Sequence, residues 1–438
     1  MENIIDVVFN TNNNILNKII KLNYYNNLSQ NNFAELKYLL KNFDIDTRNK
    51  DGKNLLHIFA SNNKNILKIL LEHGCNINAK DNLGKTPIFY CNETDYQFFI
   101  DNGADVNIVN NFGFPVLYYA SKSYFTSIIK PLLDAGADKN IFHLFKKREQ
   151  LHFAVLFQDT QKIKELLVED ASLINSVITQ IYGNNDKYKF IITPITITIQ
   201  NGFYDEFLTL IEYGEKINPD YLDFSVYKPR FNENHIKILK KLIELGIPVN
   251  ELTDNMGGGI LHSCCDFEIG KYRNEIITIL LENGADIHAK TKEIDIQNVY
   301  GFNRYAVLSR SGVEPLQHFT ETITNIEVYK TLIKYEADIN LQNSYGINAF
   351  MGLCNSTFFR YCDNPENLYE VVKLFIDNGA DIFLKDKFNN TAFDILCENE
   401  NIGNKQKKKI IQLFQEHAKI LFLNPKTNEF IYKLLQQP

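Results

Sequence analysis

Tryptophan is absent from this 438-residue chain, and methionine occurs only three times. Asn, Ile, Lys, Tyr and Phe are used heavily instead. That bias fits an AT-rich genome, such as that of a bacterium, protist or large virus, and carries no chemistry of its own. The seven cysteines are scattered and odd in number, which argues against a disulfide framework. No run of 18 apolar residues exists, so no membrane-spanning helix is expected. Met1-Glu2-Asn3-Ile4-Ile5-Asp6 places acids where a secretory signal needs bases. These absences predict a reduced, cytoplasmic protein, in its own cell or delivered into a host cytoplasm. Excess positive charge is also missing: 46 Lys and Arg face 53 Asp and Glu, for a net charge of −7. That balance speaks against a nucleic-acid footprint. Gly-x-Ser-x-Gly, the kinase motifs and His-Glu-x-x-His do not occur. Gly257-Gly258-Gly259 lacks the Lys and Ser/Thr of a phosphate loop and reads as a turn.

What is present is repetition. An apolar helical stretch ends again and again in one short phrase, fullest at Gly103-Ala104-Asp105, Gly284-Ala285-Asp286 and Gly379-Ala380-Asp381. Its glycine place falls at Asn42, Gly74, Gly103, Gly136, Ala171, Gly214, Gly246, Gly284, Glu336 and Gly379. The steps centre near 33 residues, with a few longer ones. Such a period means an array of one small unit carrying insertions. Within the unit, Leu67, Leu70 and Leu71 give a helix one apolar face at spacing 3 and 4. Gly103 stands where a helix must turn through a left-handed conformation. Thr86 is suited to an N-cap and Pro87 to the first helical position. Asn76 to Gly84 alternates and ends in a turn tetrad, as an extended finger would. One such unit cannot bury its apolar face alone, whereas stacked neighbours can.

Asp81-Asn82-Leu83-Gly84-Lys85-Thr86-Pro87-Ile88 resembles the ankyrin repeat. Asn54-Leu55-Leu56-His57, Gln150-Leu151-His152, Ile260-Leu261-His262 and Glu314-Pro315-Leu316-Gln317 match its helix start again. The resemblance runs over roughly residues 30 to 415, with several copies degenerate; Lys147 replaces a fingertip glycine. It implies an all-α solenoid of helix-turn-helix pairs with extended finger loops. It also implies that His57, His152 and His262 tie fingers together, since a catalytic residue would not recur with the fold period. Loop asparagines such as Asn340 resemble those modified by asparagine hydroxylases in such repeats.

The expected organisation is an N-terminal capping or degenerate repeat at 1–48, an array at 49–400 and C-terminal capping helices at 401–438. Insertions fall near 176–192, 291–312 and 355–367. Lys405, Lys407, Lys408 and Lys409 read as a solvated helix face more readily than as a nuclear signal. Their charge opposes the helix dipole at an N-terminus, so the helix is expected to begin earlier.

No catalytic, cofactor-binding or metal-ligating residue is assigned, and no cofactor is expected. His262-Ser263-Cys264-Cys265 lacks the spaced cysteine pairs of a zinc site. Cys354 and Cys362 flank an insertion. The family binds partners along its fingertips and first helices. Leu83, Phe112, Phe114, Tyr345 and Phe388 stand beside tip glycines or their equivalents and are the partner-binding candidates, because buried aromatics dominate interface energies. Packing against the adjacent finger is the competing reading for each. The function expected is a non-enzymatic, monomeric protein–protein interaction scaffold. It serves as a housekeeping adaptor or as a host-interaction effector of a microbe or virus, with protein partners and neither nucleic acid nor membrane. The rival reading is a regulatory or accessory subunit that binds an enzyme or small ligand through its inserts.

Overall fold

The computed structural model describes the chain apart from residues 1–36, 39, 42–43, 62–63, 123–125, 182–188, 223–230, 252–257, 265–269, 293–311, 320–324, 356–365, 401 and 418–438. The expectations placed on Asn42, Cys265, Cys362 and residues 418–438 lie outside the described residues. The chain divides into two compact units, Met1–Asn201 with Leu208–Glu215, and Gly202–Phe207 with Lys216–Pro438.

The first unit is built of short helix pairs. Leu55–Phe59 precedes Lys64–Glu72, and the 3-10 turn Pro87–Tyr90 precedes Tyr96–Asp101. Val116–Lys122 with Thr126–Asp134 and Lys147–Leu156 with Thr160–Glu169 follow. First helices pack on first helices of the next pair, as Leu55–Phe59 does on Pro87–Tyr90 and Lys147–Leu156 on Pro194–Asn201. Leu67 and Leu70 are buried between neighbours and Leu71 is half-buried, as the helical spacing requires. The second unit repeats the plan through Ile260–Ser263, Arg273–Glu282, Pro315–Phe319, Ile326–Lys334, Ala349–Asn355, Glu366–Asp377, Ala392–Glu398 and Asn404–His417. Its core carries a run of rings: Tyr329 edge-on to Phe375, Phe375 stacked on Phe350, Phe350 on Phe414.

The recurring glycine does what its place requires. Gly74, Gly103, Gly136, Gly214, Gly246, Gly284 and Gly379 all have positive φ, and Glu336 adopts φ 66° in the same role. Ala171 departs from the pattern: it opens the 3-10 turn Ala171–Asn175, capped by the Asp170 carboxylate, so no left-handed residue is needed.

Among the described residues the single sheet is an antiparallel hairpin, β1 (Ile178–Ile181) and β2 (Lys189–Ile192). It makes the insertion near 176–192 a finger drawn out into strands. The insertion near 291–312 leaves and returns at a matching place. Thr291 N donates to Val313 O at 3.0 Å, and Gly312 N to Lys292 O at 3.2 Å. The third lies between the helices Ala349–Asn355 and Glu366–Asp377.

Three local expectations are corrected. Thr86 does not cap: Phe89 N donates to Thr86 O in a tight 3-10 turn, which leaves the Thr86 hydroxyl buried without a partner. Thr391 does cap, accepting from Asp394 N. The lysine-rich helix begins at Asn404, at the run itself rather than earlier. Lys407 is buried, not solvated. Its ammonium donates to Cys397 O at 2.8 Å, satisfying a carbonyl at the end of the preceding helix, and burial lowers its pKa.

Candidate protein-binding surface

Each finger is fixed by its own side chains before it meets its neighbour. At the tips, Asn49, Asp81, Asn110, Asn343 and Asp386 each accept two backbone N–H groups through Oδ1. That bracket forms a turn whose fourth residue is left-handed: Gly52, Gly84, Gly113, Gly346 or Asn389.

Four kinds of tie then join a unit to the next. Asn78 Nδ2 donates to Gly103 O at 3.0 Å while its Oδ1 accepts from Asp105 N at 2.8 Å. Asn107, Asn250 and Asn340 repeat this on Gly136, Gly284 and Gly379 and on the aspartates two residues beyond. Arg48 and Gln342 bridge a tip carbonyl to the following finger, at Lys80 O and Lys385 O. The tips form a ladder: Asn82 N donates to Asp51 O, Asn111 N to Leu83 O and Lys387 N to Tyr345 O, each at 2.9 Å. The recurring histidines supply the fourth tie. Nε2 of His57, His152 and His262 lies 3.0 Å from Lys85 O, Ile192 O and Val313 O. Asn54 N donates to His57 Nδ1, so there the proton sits on Nε2. Gln317 replaces the imidazole and donates through Nε2 to Ile347 O at 3.2 Å. Burial depresses His57 and takes His152 down to about 4, so these two ties are made by neutral rings.

On this frame stands a strip of alternating cations and rings. Tyr90 lies nine residues after Asp81 and donates its hydroxyl to Asp81 Oδ2 at 2.5 Å. Tyr119 lies nine after Asn110 and accepts from Asn110 Nδ2 at 2.7 Å. The Lys53 ammonium sits 4.1 Å from the Tyr90 ring centre, and that of Lys85 sits 4.9 Å from Tyr119. Phe114 stacks on Tyr118 at 4.3 Å, Tyr118 on Phe145 at 5.1 Å and Phe145 on Phe153 at 3.8 Å. Lys53, Lys85, Tyr90, Phe114, Tyr118 and Tyr119 are all half-buried, which leaves part of each open to a partner. The strip was missed in the sequence, although the nine-residue offset between tip Asx and tyrosine recurs there.

The five candidates divide. Leu83, Phe112 and Phe388 project outward, at 46%, 66% and 49% exposure. Phe114 is half-buried in the stack. Tyr345 corrects the expectation of an outward ring. It is only 9% exposed, because the next finger lies over it and brings the Lys387 ammonium 5.7 Å from the ring. Leu83, Phe112 and Phe114 fall in the first unit, Tyr345 and Phe388 in the second.

The cysteines are placed for packing. Cys75, Cys264, Cys354 and Cys397 are buried, and burial pushes Cys75 up to about 11 and Cys397 to about 12. A shallow polar depression lined by Asn140, Phe142, His143, Asp159 and Lys162 holds the ion pair Lys139–Asp159 at 2.8 Å. Among the described residues no helix is long and apolar enough to cross a membrane.

Residues 26–107 match the sequence model of ankyrin repeats, in three copies. The match spans the fingers of Asn49 and Asp81 and reaches Asn107, where the tie to Gly136 begins. No curated protein matches the chain.

Proposed function

We propose that the chain is a non-enzymatic scaffold, with ankyrin repeats in each of its two compact units, that holds a protein partner on its fingertips and first helices. Ankyrin repeats are generally protein–protein interaction modules, and residues 26–107 are of this kind. The observation that carries the reading is the Lys53–Tyr90–Lys85–Tyr119 strip beside the outward Leu83 and Phe112. The half-exposed tyrosines are of the residue type enriched among interface anchors, and the lysines beside them supply charge of the kind found at an interface rim. The same ties between successive repeats beyond residue 107, at Asn250, Asn340, His262 and Gln317, support repeats of the same kind in the second compact unit. A cytoplasmic site and a role as adaptor or effector belong to this reading. The seven cysteines, several with raised pKa values, suit a reducing compartment.

Two single variants test the anchor assignment. Phe112→Ala should weaken a partner captured by the wild-type chain by about 2 kcal/mol or more, with the melting temperature unchanged. Phe114→Ala should lower the melting temperature, because it removes a stacked ring. Wild-type retention of that partner by Phe112→Ala and by Leu83→Ala would move the binding surface away from these tips.

A further inference from the structure

The ladder of fingertips stops at Phe112. Asn82 N donates to Asp51 O and Asn82 Nδ2 to Lys50 O; Asn111 N donates to Leu83 O and Asn111 Nδ2 to Asn82 O. The next rung would fall on Phe112 O and Asn111 O. No group among the described residues donates to either. The fourth repeat has Lys147 where the three tips before it have a glycine. It coils into the 3-10 turn Phe142–Leu144 and sends Phe145 onto Tyr118 instead of forming a tip.

The glycines show where a finger belongs. A Cβ on Gly52 would collide with Asn82 and one on Gly84 with Asn111, and one on Gly346 would press tightly on Asp386. A Cβ on Gly113 would meet nothing within 4 Å. Among the described residues nothing takes the space that a following finger fills elsewhere, beside a Phe112 that is 66% exposed. The last tip differs. Its left-handed residue is Asn389, whose Cβ and side chain occupy that space, with Lys385 donating to Asn389 Oδ1 at 3.1 Å. That tip is built as an end; the Gly113 tip keeps the form of a rung awaiting its neighbour.

We propose that the edge Asn111–Phe112–Gly113 accepts a turn from a partner polypeptide that completes the missing rung. The incoming turn donates a backbone N–H to Phe112 O and a carboxamide N–H, from an Asn, to Asn111 O. It covers Gly113 and packs on the Phe112 ring. This mode adds main-chain bonds to an exposed edge, as strand addition does at a sheet. It deepens the proposed function by naming the partner's contacting element.

The test uses the full chain and a cyclised peptide of the sequence Ala79–Thr86, which presents this protein's own rung in a preorganised turn. Phe112–Gly113 is the single Phe-Gly pair in the sequence. Labelling Phe carbonyls with carbon-13 and Gly amides with nitrogen-15 therefore gives one carbonyl–amide correlation, at the proposed contact. The peptide should shift that signal saturably. A peptide N-methylated at the residue matching Asn82, which lacks the donor, should bind about tenfold more weakly, the order expected of one hydrogen bond. No shift at millimolar peptide overturns the proposal, and so does equal binding of the methylated peptide. Either failure leaves the scaffold reading intact if Phe112→Ala still loses its partner. A partner complex kept by Phe112→Ala and by Leu83→Ala, with the peptide bound normally by the wild-type chain, moves the protein-binding surface away from these tips and keeps the edge.

Discussion

His152 has no exposed surface, and its Nε2 reaches the carbonyl of Ile192 at 3.0 Å. Burial holds its pKa near 4, with the hydrogen bond to the Ile192 carbonyl pulling only partly the other way. A ring depressed in the folded state stabilises fully above its unfolded pKa, about 6.5. As pH falls from there the unfolded chain takes up the proton first, and stability is lost until about pH 4. The loss reaches at most about 3 kcal/mol. Gln317 fills the same place in another unit with a side chain that does not titrate. His152→Gln should therefore keep the tie and flatten this acid limb. Urea unfolding at pH 7 and pH 5 checks it; an unchanged pH slope would show that His152 does not titrate as stated. The recurrence of His was legible in the sequence because it follows the fold period. The burial of Tyr345 was not, because the finger that covers it lies some forty residues later. Lys407 was misread for a related reason: lysines favour solvent on average, and only the position of Cys397 O reveals its bond.

Fingers and helix pairs were legible as elements. Apolar spacing and the left-handed glycine are local properties, and they set the helices and their ends. The drawn-out hairpin and the missing fourth tip were harder to read, since both depend on what the neighbouring finger offers. The bridging asparagines are the element-scale joints. Asn340 donates to Gly379 O at 2.9 Å and accepts from Asp381 N at 2.8 Å. Asn340→Ala removes both bonds and should cost about 1 to 2 kcal/mol in urea unfolding. Asn340→Asp keeps the acceptor and should cost less. Equal losses would show that the donor arm contributes nothing.

At the scale of the molecule, every tie described joins one repeat to the next within one of the two compact units. Stability inside each compact unit should then propagate by neighbours. Asn340→Ala should speed hydrogen exchange in Glu366–Asp377 and leave Leu55–Phe59 unchanged. Uniform acceleration in mass-spectrometric exchange would contradict nearest-neighbour coupling. The histidine ties add a consequence for how such a chain changes. His57 closes on a carbonyl 28 residues ahead, His152 on one 40 ahead and His262 on one 51 ahead, all at 3.0 Å. Extra chain has entered between donor and acceptor without altering the closure. The finger is thus a doorway: whatever passes out through it must come back to the same threshold, and the pitch of the array never registers the length of the excursion. New sequence can be admitted there, tried and discarded while the units on either side stay in step, which makes the fingers the natural grafting points of this protein.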